Sequence, residues 1–249
     1  MMRITETVKQ LIIINIIFFV ASLLVKPAFQ YLALYFPESP LFMPWQIVTH
    51  MFMHGGLMHI LFNMFGLYMF GSALEHFWGA KKFLFFYFSC GLGAAALHLG
   101  VNYIQFNDAI QPLIENGFTK QSVIDTILAD KYDTRWLEYI SESKFDGLVS
   151  SLAPVVGASG ALYGIIVAFA FMFPNAELML LFIPVPVKAK YFVPGLLAID
   201  LFLGLRGQAI FGSRWDDGVA HFAHLGGALI GFLMMWYWKK NQFNNNRWD

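Results

Sequence analysis

Charge is scarce in this chain. Only 13% of its 249 residues are Asp, Glu, Lys or Arg, where a soluble domain carries about 25%. A water-facing surface of ordinary extent cannot be assembled from so few. Acidic and basic residues balance to a net charge of zero, so no partner follows from the global charge and nucleic acid is not expected. The single cysteine, Cys90, excludes an intrachain disulfide. There is no H-E-x-x-H run, and no carboxylate stands beside the histidines at metal-ligand spacing, so neither a metal nor a cofactor is expected. The first apolar run, 11–25, lacks a following small-residue cleavage site and reads as a first span rather than a cleaved signal. No internal symmetry about broken helices is visible, which argues against a transporter built from repeats.

What fills the chain instead is apolar: 58% hydrophobic and 18% aromatic residues, with a mean hydropathy of +0.58. Several runs approach the ~20 residues a membrane helix needs. The expected fold is therefore an all-α polytopic membrane protein with six transmembrane helices. The spans are placed at about 9–25, 46–74, 83–104, 157–173, 191–205 and 219–238. Residues 26–45, marked by Pro27, Pro40 and Pro44, read as an interfacial segment. Residues 178–187, short and broken by Pro184 and Pro186, read the same way.

Composition breaks between 105 and 153, where eight acidic residues face four basic ones and no span-length apolar run occurs. This is expected to be an extramembrane insertion in a single membrane domain covering 1–249, with short amphipathic helices at 119–128 and 136–140. Under the six-span count, Arg3/Lys9, Lys81/Lys82, Lys188/Lys190 and Lys239/Lys240 fall on one side. The insertion and Asp216-Asp217 fall on the other. The positive-inside rule then makes both termini cytoplasmic.

That orientation brings three separated pieces of sequence to one level of the membrane. Ser159, in Gly157-Ala158-Ser159-Gly160, opens the fourth span at its extracytoplasmic end. The soluble nucleophile elbow G-x-S-x-G does not fit, because Ala161 stands at its second glycine. His50, His54 and His59 enter the second span at the same level, and His221 and His224 the sixth. Acyl transfer needs a nucleophile, a base for its proton, and donors for the oxyanion. Ser159 supplies a nucleophile and His224 a base near neutrality. Gly227 and Gly231, one turn apart, let the sixth helix press against the small-residue face that opens the fourth. Tyr163, four residues after Ser159, shares its face and can stack on the imidazole. His59 and Asn63 are also four apart and can serve as oxyanion donors beside the N–H groups of Ser159 and Gly157.

His54-x4-His59-x3-Asn63, Gly157-x-Ser159-Gly160 and Ala223-His224-x2-Gly227-x3-Gly231 together resemble, in order and spacing, the signature of rhomboid intramembrane serine proteases. The resemblance implies a Ser–His dyad with no third acidic member, Ser159 as nucleophile and His224 as base. It implies an oxyanion site of His59, Asn63 and the Ser159 and Gly157 N–H groups, with His54 as the family's additional histidine and Tyr163 packed on the catalytic ring. His221 has His224, not glycine, three residues on, so it falls outside the motif and reads as structural or water-organising. Trp45-Gln46 stands where many bacterial members have Trp-Arg, which departs from the usual arginine anchoring of the first loop.

The implied partners are the lipid bilayer and single-pass transmembrane substrates whose helices unwind easily. A bacterial inner membrane is the expected location. Asp200, about two turns inside the fifth span, is expected to reach water or an interhelical partner, and His98 to bond between helices. Two other classes stay in view. A non-enzymatic rhomboid-like escort would lack Ser159 or His224, and this chain has both. A metal-dependent enzyme would use His50-x3-His54 or His221-x2-His224, without the carboxylates such sites need.

Overall fold

The computed structural model describes residues 3–180, 183–206 and 220–241. Its first helix, α1 (Glu6–Leu24), is tied to the rest of the chain at its amino end. The Glu75 carboxylate accepts the N–H groups of Thr7 and Val8 at 3.0 and 2.9 Å, and the Thr5 hydroxyl as well. These amides have no intrahelical acceptor, and an anion suits that end of a helix. Val8, Leu11 and Asn15 face inward, while Ile13, Ile17, Leu23 and Leu24 are exposed. An uncovered apolar face of this kind is what a bilayer solvates.

A short helix, α2 (Pro27–Leu32), and an irregular segment lead to α3 (Gln46–Thr49). The expected unbroken span at 46–74 is interrupted. A 3₁₀ turn, His50–Phe52, and the pair Gly55-Gly56 precede α4 (Leu57–Gly66). Two adjacent glycines give the helix little reason to continue. A π-helical turn, Leu67–Gly71, then joins α4 to α5 (Ser72–Glu115). Within α5 the helix is broken by a kink at Gly79, whose φ of 74° and ψ of 165° are closed to most L side chains. This is the polar turn expected near 75–82.

Beyond Gly79, α5 does not stop near 104 but runs to Glu115. Phe106, Ala109, Ile110 and Leu113 recur on one helical face and enter a second core with residues of α6 (Lys120–Leu128) and α7 (Glu142–Leu152). Trp136, in a 3₁₀ turn at Thr134–Glu138, fills its centre. Of the two helices expected here, 119–128 forms, capped by the Thr119 hydroxyl, whereas 136–140 does not extend past the 3₁₀ turn. Helix α7 was not expected, although Phe145, Leu148 and Leu152 mark its apolar face. The segment before α3 is drawn into this core by Phe36, by paired backbone bonds between Leu34 and Val155, and by the Lys120–Glu38 ion pair.

Helix α8 (Ser159–Met172) is followed by a hairpin of β1 (Glu177–Leu180) and β2 (Ile183–Lys188) with Glu177 opposite Lys188. The all-α expectation is corrected here. Pro184 and Pro186 have no N–H to give a helix, and a two-stranded edge tolerates them. Helices α9 (Ala189–Arg206) and α10 (His221–Asn241) complete the described chain. Val219, Asp216-Asp217 and the polar tail lie outside the described residues.

Two described helical stretches, Glu6–Leu24 and Leu57–Glu115, are long and apolar enough to cross a membrane, and α8 is apolar but only 14 residues long. At the centre, α10 wedges between α8 and α5 with backbones touching. A β-carbon on Gly227 would collide with the Gly160 carbonyl. One on Gly231 would stand 2.7 Å from Gly164 Cα, and one on Gly226 2.8 Å from the Gly93 carbonyl. In lipid, such contact is how helices associate without a hydrophobic drive between them.

Candidate active site

The glycine contact fixes what stands above it. Ser159 is the first residue of α8, and His224 lies in the first turn of α10. With the two helices at backbone distance, Ser159 Oγ is 2.9 Å from His224 Nε2. One turn into α8, the Tyr163 ring lies flat on the His224 imidazole, centroids 4.1 Å apart and planes 10° from parallel. Stacking fixes the plane of the imidazole.

The other ring nitrogen faces Asp200, the intramembrane carboxylate expected to reach water or an interhelical partner. Asp200 Oδ1, from α9, is 3.3 Å from His224 Nδ1 and 2.5 Å from His221 Nδ1. Asp200 and His221 are buried, at 5% and 8% exposure, so the contacts are sheltered from water. Asp200 thus meets the interhelical partner expected of it, and an acid stands beside the histidine of the expected pair. The usable signal was the charge itself, since a carboxylate within an apolar span marks function by default.

His59 projects from α4 towards the gap beside Ser159, with Asn63 one turn further along the same helix. The Gly55 N–H donates to His59 Nδ1 at 3.4 Å, so the proton of the neutral ring belongs on Nε2. A β-carbon at Gly157 would lie 2.8 Å from His59 Nε2 and 3.4 Å from Ser159 Oγ. Glycine at 157 thus leaves a gap bordered by both side chains, and its φ of 126° is itself unsuited to other residues. Asn63 Nδ2 donates to its own helix at the His59 carbonyl, 2.9 Å away, and Oδ1 has no partner among the described residues.

Gly157 departs from expectation in one respect. Its N–H is donated to the His50 carbonyl at 2.9 Å, so it is not free to meet an oxyanion. Its contribution is the missing side chain. His54 is 2% exposed, edge-on to His59 with centroids 5.1 Å apart. His98 does not bridge helices directly; it meets Asn102 one turn away at 2.9 Å, and Asn102 reaches the Ser151 carbonyl of α7 at 3.3 Å.

Gln46 was read only as a missing arginine. Fully buried, its amide accepts the N–H groups of Tyr35 and Met43 and donates to the carbonyls of Gln30, Tyr31 and Leu41. A neutral amide thereby organises the first loop. One residue earlier, Trp45 Nε1 donates to the Tyr31 carbonyl at 2.9 Å.

Ligand atoms of Asp200, His221 and His224 all lie within 4.8 Å of one another. The 2.5 Å between Asp200 Oδ1 and His221 Nδ1 is a hydrogen-bond distance. Two donors on one tetrahedral zinc stand about 3.3 Å apart, from bonds of about 2.0–2.1 Å. The cluster as built suits proton sharing better than a cation.

Fold and site together define a helical membrane protein with a serine–histidine pair at a glycine-packed helix junction. The rhomboid domain matches residues 42–107 and 135–241, and the chain belongs to the rhomboid family. The stretch between the two matched segments, 108–134, falls inside the insertion. Rhomboid protein 1, mitochondrial, of Saccharomyces cerevisiae is 25% identical over 78% of this chain and 42% of its own length. The presenilin-associated rhomboid-like protein A, mitochondrial, of Danio rerio is 26% identical over 87% of this chain and 45% of its own. The putative rhomboid protease YdcA of Bacillus subtilis is 35% identical, over 19% of the chain and 24% of its own length. The chain spans less than half the length of these relatives. Two of the three names are mitochondrial, which conflicts with the expected bacterial inner membrane.

Proposed function

We propose that the chain is an intramembrane serine endopeptidase that cuts single-pass transmembrane proteins near the outer membrane face. The observation that carries this reading is Ser159 Oγ at 2.9 Å from His224 Nε2. In the proposed reaction, Nε2 takes the hydroxyl proton as Oγ attacks the scissile carbonyl carbon. The resulting oxyanion meets His59 Nε2–H, the Ser159 N–H and Asn63, in the gap that Gly157 leaves open. The tetrahedral species collapses to an acyl-serine, and His224 passes its proton to the leaving amine. Water then repeats the sequence and frees the acid.

A membrane setting with six spans, both termini cytoplasmic and an extracytoplasmic insertion at about 105–153 accords with several features. Lys82 sits 4.2 Å from the Trp238 ring and 5.5 Å from that of Trp78, while Lys240 covers Trp236 at 5.6 Å. Lysine over tryptophan at one end of α5 and α10 is what an interfacial belt looks like, here on the lysine-rich side. At 1.5 Å per residue, the 14 residues of α8 reach about 21 Å, short of a core of about 30 Å. With its carboxyl end at one interface, Ser159 opens roughly 9 Å beneath the other. A peptide bond cut there must leave its helix, so substrates with small or helix-breaking residues near that depth are favoured.

The test is cleavage of a single-pass transmembrane reporter by the purified chain in proteoliposomes. The wild type is expected to cut and Ser159→Ala to be inert. Equal cleavage by both would refute the proposal.

A further inference from the structure

We propose that Asp200 is a positioning residue: it fixes the neutral His224 proton on Nδ1 and so keeps the Nε2 lone pair aimed at Ser159, with His221 holding the carboxylate in place. The inference rests on the proteolytic reading of Ser159 and His224.

Stacking on Tyr163 at 10° holds the plane of the His224 ring but does not choose which nitrogen meets the serine, nor which nitrogen bears the proton. A carboxylate oxygen only accepts hydrogen bonds. A ring nitrogen facing it at bonding distance is therefore the protonated one. For His224, 3.3 Å from Asp200 Oδ1, this leaves Nε2 bare and 2.9 Å from Ser159 Oγ, ready to accept the hydroxyl proton. With the other tautomer, a lone pair would face the carboxylate and an N–H the serine, and the base would be lost.

The unequal distances divide the work. His221 Nδ1, at 2.5 Å, is the closer partner and shares Asp200 Oδ1 with His224. Both histidines stand in the first turn of α10, three residues apart, so one element presents both donors to a single oxygen on α9. A buried carboxylate without such donors would be strongly disfavoured. During attack, the Ser159 hydroxyl proton moves to Nε2, while the proton on Nδ1 stays where it is. The imidazolium then faces a negative charge already in position, and no proton passes to Asp200.

The first measurement needs no substitution at Asp200. The full chain, ¹⁵N-labelled at histidine in detergent micelles, should show neutral His224 with Nδ1 protonated and Nε2 bare, assigned by the signals lost in His224→Ala. A proton on Nε2 would overturn the inference. The second measurement is labelling of Ser159 by a fluorophosphonate probe. Asp200→Asn should slow it roughly 10- to 100-fold, and lower kcat on the transmembrane reporter with KM unchanged. Wild-type labelling in folded Asp200→Asn would also overturn it. Should that variant fail to fold, the tautomer of the wild type decides alone. Labelling that persists in Ser159→Ala would instead sink the proteolytic reading, leaving the tautomer result to judge Asp200 separately.

Discussion

Adding one methyl group at Gly227 should separate catalytic geometry from fold stability. A β-carbon there collides with the Gly160 carbonyl, the residue after Ser159, on a backbone that cannot rotate aside. It would stand 1.8 Å from that oxygen, and restoring a carbon–oxygen contact of about 3.3–3.6 Å requires α8 and α10 to part by roughly 1.5–1.8 Å. Ser159 and His224 ride on these helices, so their 2.9 Å separation would open beyond hydrogen-bond reach. A misplacement of about 1 Å costs on the order of 10²-fold in rate, or about 2.7 kcal/mol of barrier. Stability should suffer less: overpacking costs about 1–3 kcal/mol, offset by up to about 1 kcal/mol because alanine favours a helix over glycine. Gly100→Ala on α5, where a methyl meets nothing within 4 Å, is the control. Fluorophosphonate labelling and thermal unfolding in detergent measure the two quantities. Gly227→Ala labelled at the wild-type rate would refute the claim that this contact sets the site.

Ser159→Ala and His224→Ala should each abolish cleavage of the reporter, with the double variant no worse, because residues acting as a unit are not additive; strong residual cleavage in folded His224→Ala, with loss in His221→Ala, would exchange the two histidines. Asn63→Ala should lower kcat by roughly 10- to 10³-fold with little change in KM if its amide turns to a developing charge; a less stable protein of normal kcat would reduce Asn63 to a helix tie. Gln46→Leu should cost about 3 kcal/mol or more in detergent unfolding, since it strands buried amides and carbonyls in the first loop; a change under about 1 kcal/mol would show that those groups find other partners.

How far the site could be read beforehand depended on whether the geometry was local. Ser159 and Tyr163 sit one turn apart on one helix, as do His59 and Asn63, and a period of 3.6 puts each pair on one face. The glycines at 227 and 231 announce a close helix contact, and close contact brings His224 to Ser159. Asp200 was different. It stands 24 residues before His224 on another helix, and no sequence pattern fixes how far α9 and α10 slide past each other. Gly157 was misread because the fate of its N–H depends on a carbonyl at His50, more than a hundred residues away in sequence. The end of α5 was misplaced because falling hydropathy marks the edge of a membrane, not the end of a helix. Phe106, Ile110 and Leu113 keep helical spacing past that edge.

Ser159, His221 and His224 share one further feature: each lies in the opening turn of its helix. The first four N–H groups of a helix lack intrahelical partners, and the aligned peptide dipoles leave about half a positive charge there. Two such ends, of α8 and α10, are brought together by the Gly160–Gly227 contact. The charges that the proposed chemistry must tolerate away from water are negative: the carboxylate of Asp200, and the oxyanion at the moment of attack. In the wet surface of a soluble enzyme, solvent would screen much of that field. In an apolar helix bundle it is not screened, and each end contributes more. In the proposed reaction the packing glycines thus act twice, through the distance between Ser159 and His224 and through the convergence of two positive helix ends on the anions beside them.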